Sequence, residues 1–299
     1  MTIVGEGDFR YEVDREWLLR GVPRHWDLAE CPDVAVDSEG LVWVFSRSDH
    51  PVTCWSPDGD FVGSWGDRGP QPGEFRVPHG IFIDGDDNIW LADHQTHQVT
   101  KHARDGSVLM ELGTFGYANI TVTTGGLQGA PFNMPTGIGI APDGKVFISD
   151  GYANRRVHRF SSTGELELSW GEAGQGPGQF AILHKVAVDS QGRVYICDRE
   201  NDRIQIFDGD GNYLEQWDDV VMPGDIYFAG DGNVYVLEQG PGNGISIFTP
   251  GGELITRWRG NKDACDAAHG CWVDGDGNIY VAEIGATSAG QRVTKFNRI

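Results

Sequence analysis

Cysteine is scarce in this chain. Five occur in 299 residues (Cys31, Cys54, Cys197, Cys265 and Cys271), an odd number with no CxxC spacing among them. Such a set excludes a disulfide framework and a zinc ribbon. Cys265 and Cys271 flank His269 and are expected to be two reduced loop thiols. Basic residues are also few: 23 Lys and Arg against 44 Asp and Glu leave a formal charge of −21. A field of that sign repels phosphate backbones, which excludes nucleic acid as a partner. No apolar run approaches the roughly 18 residues of a membrane helix, so no membrane partner is expected. The opening "MTIVGEGDFRYEVD" has neither a basic segment nor the apolar stretch of a secretory leader. With unpaired thiols, the expectation is a reducing, cytoplasmic location. Composition carries no information on oligomeric state.

What is plentiful is glycine, with 43 residues, and it recurs in a pattern. Six stretches read as the same hairpin: "VAVDSEGLVWVFS" (34–46), "IFIDGDDNIWLAD" (81–93), "IGIAPDGKVFISD" (138–150), "VAVDSQGRVYICD" (186–198), "IYFAGDGNVYVLE" (226–238) and "CWVDGDGNIYVAE" (271–283). Each is an alternating apolar strand, an Asp/Gly turn and a second alternating strand. Turn positions Asp37, Asp84, Ala141, Asp189, Ala229 and Asp274 are 47, 57, 48, 40 and 45 residues apart, about the length of one propeller blade. Segments between the hairpins, such as "RIQIFDGDGNYLEQWD", supply two further strands each. The fold expected is all-β: a six-bladed propeller of four-stranded antiparallel blades, residues 1–299 forming one domain. The last repeat ends a strand short at "QRVTKFNRI", and residues 9–21 are expected to complete that blade and close the ring.

Five residues before each turn position stand Pro32, His79, Thr136, His184, Gly224 and His269. Histidine thus falls in blades two, four and six. Equivalent inner-strand positions in alternate blades point at a common axis, and three imidazoles with an open position are the ligand count of a catalytic zinc site. Three unrelated core histidines are the plainer alternative, weakened by the shared register. The other histidines (His25, His50, His94, His97, His102 and His158) read as solvated or structural, with His94 near the same rim. In each hairpin the end of the second strand emerges on the face where the inner strand starts. Arg47, Tyr152 and Arg199, just beyond the second strands, are therefore candidates for one pocket. The acids ending those strands, Asp93, Asp150, Asp198, Glu238 and Glu283, read as turn caps.

The stretches "PTGIGIAPDGKVFISDGYANRRVHRFSSTGELELSWGE", "LHKVAV", "CDRENDRIQIF", "HGIFIDGDDNIWLADHQTHQVTK" and "FSRSDH" resemble the peptidyl-α-hydroxyglycine α-amidating lyases, over roughly residues 30–285. The resemblance implies an NHL-repeat six-bladed propeller holding zinc on His79, His184 and His269. It also implies a tyrosine base at Tyr152 and arginines at Arg47 and Arg199. Family members cleave a carboxylate-bearing hydroxy-amide, R-CO-NH-CH(OH)-COOH, into an amide and glyoxylate. A phenol has a pKa of about 10, so a tyrosine base needs nearby cations. Arg47 is the residue expected to clamp the carboxylate. The acid that follows the third histidine in the family, where it helps bind a structural calcium, is replaced by Gly270. Asp33 and Asp225 occupy the post-histidine position in blades one and five and are the substitute calcium ligands expected. The family's paired cysteines are replaced by Ala153 and Ile206. Residues 113–132, a long insertion, belong to the expected pocket rim. Two rivals stand beside this reading. One is a lactonase or streptogramin-lyase type of metal-dependent propeller enzyme; the other is a noncatalytic binding propeller.

Overall fold

The six Asp/Gly turns are built alike, and their chemistry explains why hairpins form there. In each, the first residue's N–H donates to the carbonyl four residues on, from Asp37 to Leu41 through Asp274 to Asn278, at 2.9–3.0 Å. The fourth residue has φ between 60° and 85° and is glycine in every turn but one, where Asp87 takes that conformation. Asp37, Asp84, Asp189 and Asp274 fold their carboxylates back onto the N–H groups two and four residues ahead. Where the turn opens with Ala141 or Ala229, Asp143 and Asp231 accept the N–H of Lys145 and Asn233 instead. Four acids and two displaced acids thus cap six equivalent turns.

The computed structural model describes residues 2–119, 131–241, 243–259, 265–285 and 293–299. It is an all-β six-bladed propeller of four-stranded antiparallel blades. The expected rim insertion lies largely outside the described residues, which omit 120–130. A 3₁₀ turn at Arg199–Asn201 accompanies the strands, and no helix among the described residues is long and apolar enough to cross a membrane. The chain divides into two compact units: a central unit of residues 69–223, and a terminal unit of 1–68 with 224–299.

The central unit holds blades two, three and four, whose inner strands are Pro78–Ile83, Gly137–Ile140 and Leu183–Val188. Trp90, Leu112, Phe132, Ile138 and Phe160 pack between the first two of these blades. Phe147, Phe180, Leu183 and Phe207 pack between the second two. Large buried rings of this kind dominate the apolar driving force for such sheets. A short parallel ribbon, Glu172–Ala173 with Gln179–Phe180, lies on the connection between blades three and four.

The terminal unit holds blades one, five and six. In blade six the strand Phe9–Asp14 pairs antiparallel with Val293–Arg298, as the missing-strand argument expects. The pairing strand is shorter than residues 9–21. Asp14 accepts the N–H of Glu16 and a two-pronged bond from Arg20, which turns the chain out of the sheet. A further strand, Thr2–Glu6, pairs with Phe9–Asp14, so this sheet has five strands rather than four. The cysteines are all free; Cys265 lies in the loop before the strand Ala268–Val273 and Cys271 within that strand, and both are buried in the core. Burial pushes the Cys265 thiol up to about 12, which keeps it protonated.

Candidate active site

Each register histidine is the second residue of its inner strand, and each sits at a break in the ladder. The pairing register shifts between Pro78 and Gly80, between Leu183 and Lys185, and between Ala268 and Gly270. His79, His184 and His269 are therefore the residues at which each ladder shifts its register. A bulge re-aims the side chain it carries, and this one repeats in every second blade. All three are buried, at 2%, 2% and 3% exposure.

Two of the rings have a fixed tautomer. His79 Nδ1 lies 2.8 Å from the carbonyl oxygen of Thr136, and His269 Nδ1 lies 2.8 Å from that of Pro32. A carbonyl only accepts, so Nδ1 carries the proton and Nε2 keeps its lone pair. Thr136 and Pro32 are themselves the register residues of blades three and one. Blades three and one thus supply backbone carbonyls that orient the imidazoles of blades two and six, the kind of outer support metal-ligating histidines use. Among the described residues, the side chains that could hold a metal ion are His79, His184 and His269.

Above the inner strands, the residues just past the second strands share one backbone contact. The N–H groups of Arg47, His94, Arg199 and Ile284 donate to the carbonyls of Glu30, Val77, Ile182 and Ala267, each two residues before a register position. In blade three that place belongs to Gly151, where a Cβ would stand 1.7 Å from the Leu183 carbonyl oxygen. Only glycine allows this approach, and it moves Tyr152 into the site.

In the central unit this machinery brings His79, His184, Tyr152, Arg199 and His94 together. The Tyr152 hydroxyl is 3.1 Å from His79 Nε2, and the two rings meet edge to face. The His184 ring centroid lies 5.0 Å from that of His79 and 6.0 Å from that of Tyr152. Arg199 stacks its guanidinium 5.8 Å from the Tyr152 ring centroid and also hydrogen-bonds Tyr152. Burial works against the Arg199 charge, but Glu200 and the tyrosine outweigh it and raise its pKa. His94 stands 5.5 Å from both His79 and Tyr152, ring to ring, so it is part of this cluster and not a solvated residue. Its sequence signal was its place after Asp93, matching Arg47 after Ser46 and Arg199 after Asp198.

In the terminal unit, Arg47 is held by Glu30 at 2.5 Å, and Glu30 also accepts the N–H of Gly285. Asp33 and Asp225 are buried at 2% and 1% exposure. Asp225 accepts the N–H groups of Ile226 and Cys271, and Asp33 that of Val34. A Cβ at Gly270 would stand 2.2 Å from Asp33 Oδ1. The absence of an acid at 270 therefore makes room for the carboxylate of Asp33. Four of the acids ending the second strands anchor loops, as expected: Asp93 accepts four backbone N–H groups, from Arg76, Val77, Gln95 and Thr96, and Asp150, Asp198 and Glu283 accept those of Asn133, Ala181 and Asp266, whereas Glu238 pairs with Arg257 and Arg259.

Comparison with known proteins adds to this geometry. The NHL repeat family matches residues 180–207. Peptidylglycine alpha-amidating monooxygenase of Rattus norvegicus is 30% identical over 93% of this chain and 31% of its own length. NHL repeat-containing protein 3 of Mus musculus is 31% identical, over 85% of this chain and 76% of that one. Peptidyl-alpha-hydroxyglycine alpha-amidating lyase 1 of Drosophila melanogaster is 29% identical over 74% of this chain and 44% of that one. The chain spans about a third of the length of the amidating monooxygenases it matches. Among solved structures, a virginiamycin B lyase from Staphylococcus aureus superposes with a TM-score of 0.65 at 13% identity, over 97% of this chain and 100% of that one. A gluconolactonase from Xanthomonas campestris gives 0.64 at 15%, over 91% and 87%. At those identities the likeness is one of fold.

Proposed function

The chain belongs to the peptidyl-α-hydroxyglycine α-amidating lyase family of NHL-repeat propellers, and from that premise we propose that it is a zinc-dependent lyase cleaving N-acyl hemiaminals. The supporting observation is the Tyr152 hydroxyl set between the lone-pair nitrogen of His79 and the guanidinium of Arg199. His79, His184 and His269 are proposed to hold the zinc through Nε2, the nitrogen that the carbonyls of Thr136 and Pro32 leave available in two of them. When bound, zinc supplies Lewis acidity toward substrate oxygens.

Tyr152 acts as the base. It takes the proton of the substrate hydroxyl, the oxygen's electron pair closes to a carbonyl, and the C–N bond breaks. The amide nitrogen leaves with the bonding pair and is protonated in turn, so that amide and glyoxylate balance the substrate. Arg199 stabilises the phenolate, and Arg47 receives the carboxylate in exchange for part of its bond with Glu30. His94, beside the phenol, holds it in place through ring contact. Asp33 and Asp225, buried against Gly270 and Cys271, are proposed to share a calcium ion that offsets two desolvated negative charges. The protein is proposed to act as one domain on a small-molecule hydroxy-amide, in the cytoplasm.

A second reading rests on the similarity to NHL repeat-containing protein 3, whose name carries no activity. One assay separates the two. Glyoxylate release from α-hydroxyhippurate is expected, is abolished by a chelator and returns with zinc. Absence of turnover in zinc-loaded protein overturns the lyase reading.

A further inference from the structure

A cavity of about 400 Å³ opens in the central unit, lined by Ala153, Arg155 and Arg156 together with Gly171, Glu172 and Gly178. Ala153 follows Tyr152 directly, and the four residue-to-residue steps from Tyr152 to Arg156 span at most ~14 Å. The two arginines are unusual in a chain of charge −21. Neither forms an ion pair among the described residues. Arg155 is committed through Nε to the Ala181 carbonyl at 2.9 Å and, more weakly, through Nη1 to Ala153. Arg156 makes a single long bond, Nε to the Gly171 carbonyl at 3.5 Å. Asp150, which faces Arg156 across the ladder, is already taken up by the Asn133 N–H, Asn154 and His158. Glu172, the acid in the cavity wall, is tied to Gln179 Nε2 at 2.8 Å. Arg155 is moreover held at φ +55, a conformation that non-glycine residues adopt at a cost.

We propose that Arg155 and Arg156 form an anion subsite that receives a carboxylate on the acyl arm of the substrate. Two half-buried guanidiniums without carboxylate partners focus positive potential inside a negative surface, and a carboxylate satisfies their forks with charge-assisted bonds. The reach from Tyr152 suits an acyl group whose acid lies a few bonds from the amide. Assignment of the anion as part of the substrate rests on the lyase reading; the anion site itself does not.

The test pairs binding with turnover in the full chain. Succinate is titrated calorimetrically into the wild type, Arg156→Gln and Arg156→Lys. In parallel, kcat/KM is compared for α-hydroxyhippurate, whose acyl arm is uncharged, and for N-succinyl-α-hydroxyglycine, the substrate with an acidic arm. Arg156→Gln is expected to weaken succinate about tenfold and to lower kcat/KM for the acidic substrate alone by a similar factor. Arg156→Lys, which keeps the charge and loses the fork, is expected to fall between the two and serves if Arg156→Gln unfolds. Loss of succinate binding in Arg156→Gln without turnover of either substrate sustains the subsite and overturns the lyase reading instead. Equal succinate affinity in all three proteins, or an unmoved ratio between the two substrates, overturns the subsite.

Discussion

At the scale of the residue, the difference between phenol and benzene at position 152 isolates one oxygen. Tyr152→Phe keeps the ring contacts with His79, His94 and His184. It removes the hydroxyl that bonds His79 Nε2 and Arg199. If that oxygen is the base, kcat falls by about 10² to 10⁴, the usual worth of general base catalysis. Zinc content is expected to be unchanged, because the three imidazoles proposed as ligands all remain. Steady-state kinetics alongside metal analysis of the purified variant check both halves. A few-fold loss with normal zinc would leave the phenol only a packing role.

At the scale of the element, the strand Gln98–His102 carries a buried imidazole at its end. His102 donates from Nδ1 to the Gly106 carbonyl at 3.0 Å, which leaves Nε2 facing the Thr100 hydroxyl at 2.8 Å. Burial disfavours the charged ring and lowers its pKa below 6.5, against the smaller opposing effect of the Gly106 bond. A histidine depressed in the folded state binds fewer protons there than in the unfolded chain. Its contribution to stability is therefore whole above pH 6.5 and is lost as pH falls through the folded value. One such group gives a slope of at most about 1.4 kcal/mol per pH unit. Urea unfolding between pH 7 and 5 is expected to show stability falling with acid. His102→Gln is expected to flatten that fall, with His97, lowered for the same reason, accounting for a remainder.

The same scale shows how far the residues alone carry the argument. The hairpins were legible because alternation and a Gly at the left-handed turn position are local physics, repeated. The histidine register was legible because the repeat fixes its own ruler. The bulge beneath each histidine was not, since a ladder break depends on the partner strand. Glu30 as the companion of Arg47 lies 17 residues away in a different loop, and no spacing rule joins them. Thr2–Glu6 escaped for a related reason. Gly5 and Gly7 dilute its alternation, although their positive φ is what turns it back on Phe9–Asp14. Gly151 had a meaning only coordinates could give, the close approach to Leu183.

At the scale of the whole molecule, blade six is assembled from both ends of the chain, so the last strand depends on the first residues. Val293–Arg298 would be a bare sheet edge without Phe9–Asp14 beside it. The anchor of that strand is Tyr11, fully buried against Trp258 with ring centroids 5.4 Å apart and its hydroxyl 3.3 Å from that of Tyr235. Tyr11→Ala empties a core position and is expected to cost about 3–5 kcal/mol, as large aromatic truncations do. Tyr11→Phe forfeits only the hydroxyl contact and is expected to cost about 1 kcal/mol. Removing residues 1–7 takes away an outer strand with a single core side chain, Val4, and should cost less than Tyr11→Ala. Removing residues 1–14 exposes the edge and is expected to yield aggregating protein. Urea titration of the point variants, with light scattering on the two truncations, orders all four. If the 1–14 truncation stays monomeric and as stable as the 1–7 truncation, the closing strand contributes nothing to holding blade six together.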